Sequence, residues 1–234
     1  MKYYIYISDA KVDMLLPQVP HDIRQKVAVE FKTDIKIFSA ARKTETETDD
    51  NRIARLESVL DFIRKYGDVG TVDRPGEYIA DTLPMRWGPY TGSGSNTVVY
   101  FGGQTERTAI GLGGSIRHVL GAVGSDSPTV GSLTPFLMKT LVHELQLDQP
   151  EIHPSLASRA DAQSLPYAAI LLANHNMMGP TQRLEFVAKR LLDSDRDLTP
   201  DDRDSTIHNY SLEKSNIRIN RILLGTPLYV ALAD

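Results

Sequence analysis

Residues 96–124 read NTVVYFGGQTERTAIGLGGSIRHVLGAVG, and the fold turns on how this stretch is read. Two short apolar runs, Thr97–Phe101 and Thr108–Leu112, each end in glycines, which predicts a central antiparallel hairpin. The second run continues through Gly113-Gly114-Ser115 into a helical turn. Seven glycines fall here, at 102, 103, 111, 113, 114, 121 and 124. Glycine costs backbone entropy and gives packing nothing, so such a cluster implies sharp turns or the close approach of another group to the backbone. The stretch is the first candidate for a site.

Upstream, Lys2–Ser8 is built from tyrosine and isoleucine and reads as a strand covered on both faces, hence central. It runs into Ser8, Asp9, Lys11 and Asp13, the first polar groups past its end. Pro20 then opens a helix with Ile23, Val27 and Phe31 on one face, and Asp34–Ser39 alternates as a second strand. Strand, helix, strand predicts a βαβ-like start. Arg42–Asp50 is a solvated loop carrying N-caps. The next helix, about Asn51 to Tyr66, stripes Ile53, Leu56, Leu60 and Ile63 and ends at Gly67. Glu77–Trp87 is a strand interrupted by Pro84, and Gly88–Ser95 a loop that connects strands or covers a site.

Downstream, Thr134-Pro135 opens a helix through about Leu147 with Leu137 and Leu141 inward. Leu156–Asn174 reads as helix kinked at Pro166. Gln182–Leu192 reads as another, with Leu184, Val187, Ala188 and Leu191 inward and Glu185–Lys189 paired outside. Asp193–Thr206 is an acidic loop, the segment expected to open most readily. Ile217–Ala233 gives two strand-like runs around Gly225-Thr226-Pro227. The fold class is therefore α+β or α/β. It has a mixed sheet, an N-terminal βαβ-like unit, a central antiparallel hairpin and a helical C-terminal half, in one domain over residues 1–234.

The chain has 234 residues, 41% hydrophobic and 24% charged, ordinary for a globular protein with a substantial core. A net charge of −4 argues against a broad grip on duplex nucleic acid, though one basic pocket for a small anionic ligand is compatible with it. There are no cysteines, which removes disulfides, thiolate zinc sites and a cysteine nucleophile and fits a cytoplasmic location. The apolar runs are too short to span a bilayer or to form a signal-peptide core, so no membrane partner is expected. The sequence does not set the oligomeric state.

Three stretches, YYIYISDAKVDMLLPQVP (3–20), GLGGSIRHVLG (111–121) and GTPLYVALAD (225–234), resemble a family of bacterial proteins catalogued as a domain of unknown function. The resemblance covers nearly the whole chain and implies one shared architecture. It brings no activity and no functional residue.

The candidate chemistry centres on a phosphate-bearing small molecule such as a nucleotide. Gly113, Gly114 and Ser115 follow a strand and could open a helix, the setting in which backbone amides cradle a phosphate; a tight turn with Ser115 as N-cap is the plainer alternative. No Walker lysine follows, and Ile116 replaces the third glycine of a dinucleotide fingerprint. His118 falls three residues after Ser115 and offers a ligand contact, a general base or a structural hydrogen bond. Ser8, Asp9 and Lys11 stand at a strand end, where open sheets bind ligands and where turns also collect such residues. Arg86 suits a phosphate and Trp87 can stack on a base, or can anchor a sheet face. His143-Glu144 lacks the second histidine of a zincin helix, no Gly-x-Ser-x-Gly elbow is present, and no metal or cofactor is implied. The leading expectation is a ligand-binding or regulatory module. A phosphodiester hydrolase using His118 or Asp9 is the enzymatic alternative, and a structural or protein-interaction component the third.

Overall fold

The structure, a computed structural model, describes residues 2–27, 29, 46–91, 97–121, 134–145, 164–195 and 219–233. In chain order these form β1 (Tyr3–Ile7), α1 (Asp9–Leu15), α2 (residues 21–27), α3 (Thr46–Tyr66), β2 (Val69–Gly70), β3 (Tyr78–Thr91), β4 (Thr97–Gln104) and β5 (Thr108–Ser115). A 3-10 turn at Ile116–His118 follows, then α4 (Thr134–Glu144), α5 (Ser164–Asn176), β6 (Gln182–Asp195) and β7 (Arg221–Leu232).

The strands close on themselves. β3 pairs with β4, β4 with β5, β5 with β7, β7 with β6, and β6 returns to β3, giving a five-stranded barrel. Every step is antiparallel except β5 to β7. Closure removes the free edges that make open sheets sticky. The long strand β3 makes it possible by serving two partners, β6 over Tyr78–Met85 and β4 over Met85–Thr91. Pro84 sits at this handover, where a proline is tolerated. A first strand shared between two neighbours, a parallel third and fifth, and helices between the third and fourth make the Greek-key path of OB-type barrels.

Alternation along the strands sorts the core into three layers. Val99, Phe101, Ile110, Leu112, Leu184, Phe186 and Leu223 fill the barrel. The intervening residues Val98, Tyr100, Ala109, Ile222 and Leu224 face outward and are buried beneath α4 and α5. OB-type barrels bind ligands on the outer face of their second and third strands; here that face is packed under helices. On the other side Val187, Tyr229 and Ala231 pack against Val12, Ile23, Leu56 and Leu60 of α1 to α3.

The predicted helices at 51–66 and 134–147 are present, the first starting earlier at Thr46 and the second described to Glu144. The central hairpin is present as β4 and β5, both longer than expected. Other expectations are corrected. β1 is not central: it ends the strand path and runs antiparallel to β7, taking up the edge of β7 beyond the point where β5 leaves it at Gly225. Residues 34–39, the supposed second strand, lie outside the described residues, as do 196–206 of the acidic loop. Gly88–Thr91 belongs to β3, not to a loop. Residues 182–195 form a strand, not a helix, reached through Gly179, whose φ of 109° suits only glycine. β7 runs unbroken through Gly225-Thr226-Pro227.

Candidate functional site

β1 delivers its last residues to the point where the barrel, α1 and α3 meet. Ser8 starts α1: its N–H donates to Leu228 O at 2.8 Å, and its carbonyl accepts from Val12 at 3.0 Å. Asp9, in the first turn, is clasped by Arg52 of α3, with Nε to Oδ1 and Nη2 to Oδ2 both at 2.7 Å. The same guanidinium donates to Ile7 O at 3.0 Å, tying α3 to the end of β1. Such a two-pronged charge-assisted pair occupies both carboxylate oxygens. Asp13, a turn further, pairs with Arg55.

Lys11 lies one helical turn from Ser8 and donates from Nζ to Ser8 Oγ at 3.1 Å. Burial lowers its pKa to about 8, and among the described residues no carboxylate forms an ion pair with it. Burial penalises the charged form, and here no counter-charge offsets it. His118 closes the cluster from the 3-10 turn. Its Nδ1 is 3.6 Å from Asp9 Oδ2, and its ring meets Tyr6 edge to face at 5.8 Å. Burial pulls the imidazole below its ordinary pKa; Asp9 opposes this, and Lys11 and Arg52 reinforce it. The rim is open to solvent, the Asp9 side chain being 40% exposed and that of His118 18%.

Tyr6 forms the floor. Its ring contacts Phe101 as well as His118, and the residue is fully buried. Its hydroxyl lies beside the Ser8 side chain and the Ser115 backbone, which oppose the rise that burial imposes on its pKa, although neither meets full hydrogen-bond geometry. Burial raises its pKa well above that of a free tyrosine, so it stays a neutral donor. A β-carbon on Gly114 would stand 2.3 Å from this oxygen. That explains Gly114: an aromatic ring approaches the strand where a side chain would be.

The glycine run is thus part of β5. Gly113 pairs with Tyr100 and backs onto Leu137 of α4, whereas Gly114 pairs with Val99 and faces Tyr6. Strand alternation turns the two residues to opposite sides of the sheet. Ser115, at the strand end, caps the 3-10 turn by accepting from Arg117 N at 3.4 Å. Trp87 stacks on Phe101 at 5.7 Å and donates from Nε1 to Gln182 Oε1 at 2.7 Å. Arg86 alternates to the other face and reaches Thr181 and Met177 O.

Of the residues singled out from sequence, Ser8, Asp9, Lys11, Ser115 and His118 come together, with Gly114 behind Tyr6. Gly113, Arg86 and Trp87 do not join them. Arg52 and Tyr6 were missed. Arg52 belongs by contact across two segments remote in sequence, and only the apolar character of Tyr6 was legible. Among the described residues no group of histidines and carboxylates is arranged to hold a metal ion, and no helix is long and apolar enough to cross a membrane.

The chain belongs to a family of unknown function (DUF7019), whose model matches residues 2–234. No curated protein and no solved structure matches it.

Proposed function

We propose that the chain is a ligand-binding or regulatory module whose site, at the end of β1, takes a small molecule through its phosphate. What supports this reading is an imbalance of donors over acceptors. Lys11 has three N–H groups and gives one to Ser8, no carboxylate among the described residues forms an ion pair with it, and both Asp9 oxygens already accept from Arg52. The complement of such a cluster is a group that only accepts and carries negative charge. The test is calorimetry of the full chain against inorganic phosphate, phosphomonoesters and linear and cyclic nucleotides. Losing the charge-assisted contact, about 1.5–3 kcal/mol, makes Lys11→Met bind roughly ten- to a hundredfold more weakly. If none of these anions binds the wild type, the reading fails.

A catalytic reading draws on the same pair, since an amine with its pKa near 8 beside a hydroxyl can act as a general base. Ser8, at 1% exposure, is closed to a substrate in this state, and Asp9 is held by Arg52, so binding is favoured over hydrolysis.

A further inference from the structure

Resting on the phosphate reading just given, we propose that Arg52 is itself a ligand contact and that Asp9 is a built-in competitor. The Asp9 carboxylate occupies the guanidinium fork until an incoming anion displaces it. The first observation is where the donors converge. Asp9 accepts from Nε and Nη2 of Arg52 at 2.7 Å each, and His118 Nδ1 lies 3.6 Å from its Oδ2. A fork and an imidazole grouped in this way around two oxygens suit two oxygens of a phosphate equally well. The contact is made at the rim, the Asp9 side chain being 40% exposed and that of Arg52 21%. A carboxylate so open to water leaves its partner at little cost, because solvent replaces much of what the pair contributes.

The second observation is that both partners have anchors besides the clasp. Nη2 of Arg52 also donates to Ile7 O at 3.0 Å, so the guanidinium keeps its place at the end of β1 when Asp9 swings out. The helix that carries Asp9 stays docked as well. About one turn further along α1 and α3, Asp13 pairs with Arg55, and between the two pairs Val12 packs with Leu56 and Leu60. A phosphate dianion brings more charge to the fork than the single carboxylate it replaces, which drives the exchange. Asp9 then sets a threshold: only an anion that outcompetes it reaches Arg52.

The experiment is calorimetry of the full chain with inorganic phosphate at about 0.15 M salt, where distant charges are largely screened. The wild type is compared with Asp9→Asn, Arg52→Lys, the two combined, and Asp13→Asn. Asparagine keeps the shape of Asp9 and one acceptor for Arg52 but removes the competing charge, so Asp9→Asn should bind phosphate about tenfold more tightly. Asp13→Asn removes the same charge from α1 away from the fork and should change affinity by less than about twofold. Arg52→Lys keeps the cation and loses the fork, so it should bind about fivefold more weakly. In that background the gain from Asp9→Asn should shrink to about threefold or less. A gain that persists undiminished there, or an equal gain from Asp13→Asn, means that Asp9 repels from a distance and overturns the inference. The wild type alone gives a second readout: the Arg52 Nε–H signal, assigned by its loss in Arg52→Lys, should shift in a 1H–15N spectrum as phosphate is added. A signal unmoved at saturation, or Asp9→Asn binding no more tightly than a wild type that does bind, overturns this inference and leaves phosphate binding standing. Absence of binding by both the wild type and Asp9→Asn overturns the function as well.

Discussion

Replacing Lys11 by methionine shortens the side chain by one atom, keeps its unbranched apolar stem and removes its charge. The ammonium titrates at about 8 against an ordinary 10.5. At about 1.4 kcal/mol per pKa unit, holding it charged in the folded chain costs about 3 kcal/mol, which solvent at the rim reduces to about 2. The variant gives up the hydrogen bond to Ser8, about 1 kcal/mol. Lys11→Met should therefore be more stable than the wild type by about 1 kcal/mol at pH 7.5. The sign of the pH dependence follows from the direction of the shift. The folded pKa is depressed, so between about 8 and 10.5 the unfolded chain binds more protons and stability rises with pH. Below that window both states are protonated and the penalty is constant. Above about pH 9.5 the opposite effect begins, because burial holds the hydroxyls of Tyr4, Tyr6, Tyr90 and Tyr229 above their ordinary pKa and the unfolded chain releases those protons first. From pH 7.5 to 9 the wild type should gain about 1 kcal/mol, and the advantage of the variant should vanish. Urea unfolding followed by far-ultraviolet circular dichroism at the two pH values measures both. A wild type that is flat across this range, with a variant less stable at pH 7.5, would refute the claim that the ammonium is buried without a counter-charge.

Gly114→Ala brings a methyl group into the Tyr6 ring and should cost about 1–3 kcal/mol in urea unfolding, with much of that recovered when Tyr6 is shortened to leucine in the same chain. Arg52→Ala frees Asp9 and removes one of the cations facing His118, so the imidazole pKa should rise in an NMR titration; an unchanged value would mean that the three groups are not coupled. Gln182→Leu leaves the Trp87 N–H without its acceptor and should destabilise by about 1 kcal/mol, while phosphate affinity measured by calorimetry stays at the wild-type value.

Much of the architecture was legible because one pattern dominated locally. Leu56, Leu60 and Ile63 stripe α3 unmistakably, and Leu137 and Leu141 do the same for α4. β6 was misread for a physical reason. Leu184, Phe186 and Ala188 point into the barrel, while Val187 is buried against the helices on the outside. A strand covered on both faces loses its alternation, and the surviving spacing of Leu184, Val187, Ala188 and Leu191 imitates a helix. The glycines of β5 misled in a different way. A strand that packs aromatic rings directly on its backbone, Tyr100 at Gly111 and Tyr6 at Gly114, has the composition of a loop. The site was half legible: Ser8, Asp9 and Lys11 were placed at a strand end by local sequence, whereas Arg52 and Tyr6 join them only through the closure of the fold.

β7 pairs with β5 and β6 in the barrel and with β1 outside it, and the Ser8 N–H that begins α1 bonds to Leu228 O of that strand. On the ribosome, then, the first strand emerges long before the partner that completes it. β3, β4 and β5 can form their local meander early, but the ring stays open until Arg221–Leu232 is synthesised. The late pairings, Thr108 with Arg221 and Tyr3 with Leu232, are the most distant in sequence and the slowest to find. Until they form, the apolar faces of β1 and β5 are exposed to wrong partners, the interval in which a nascent chain depends most on chaperones. The Ser8 N–H of the polar cluster meets its Leu228 partner in the same last step, so the binding proposed for that cluster would come only with the finished barrel.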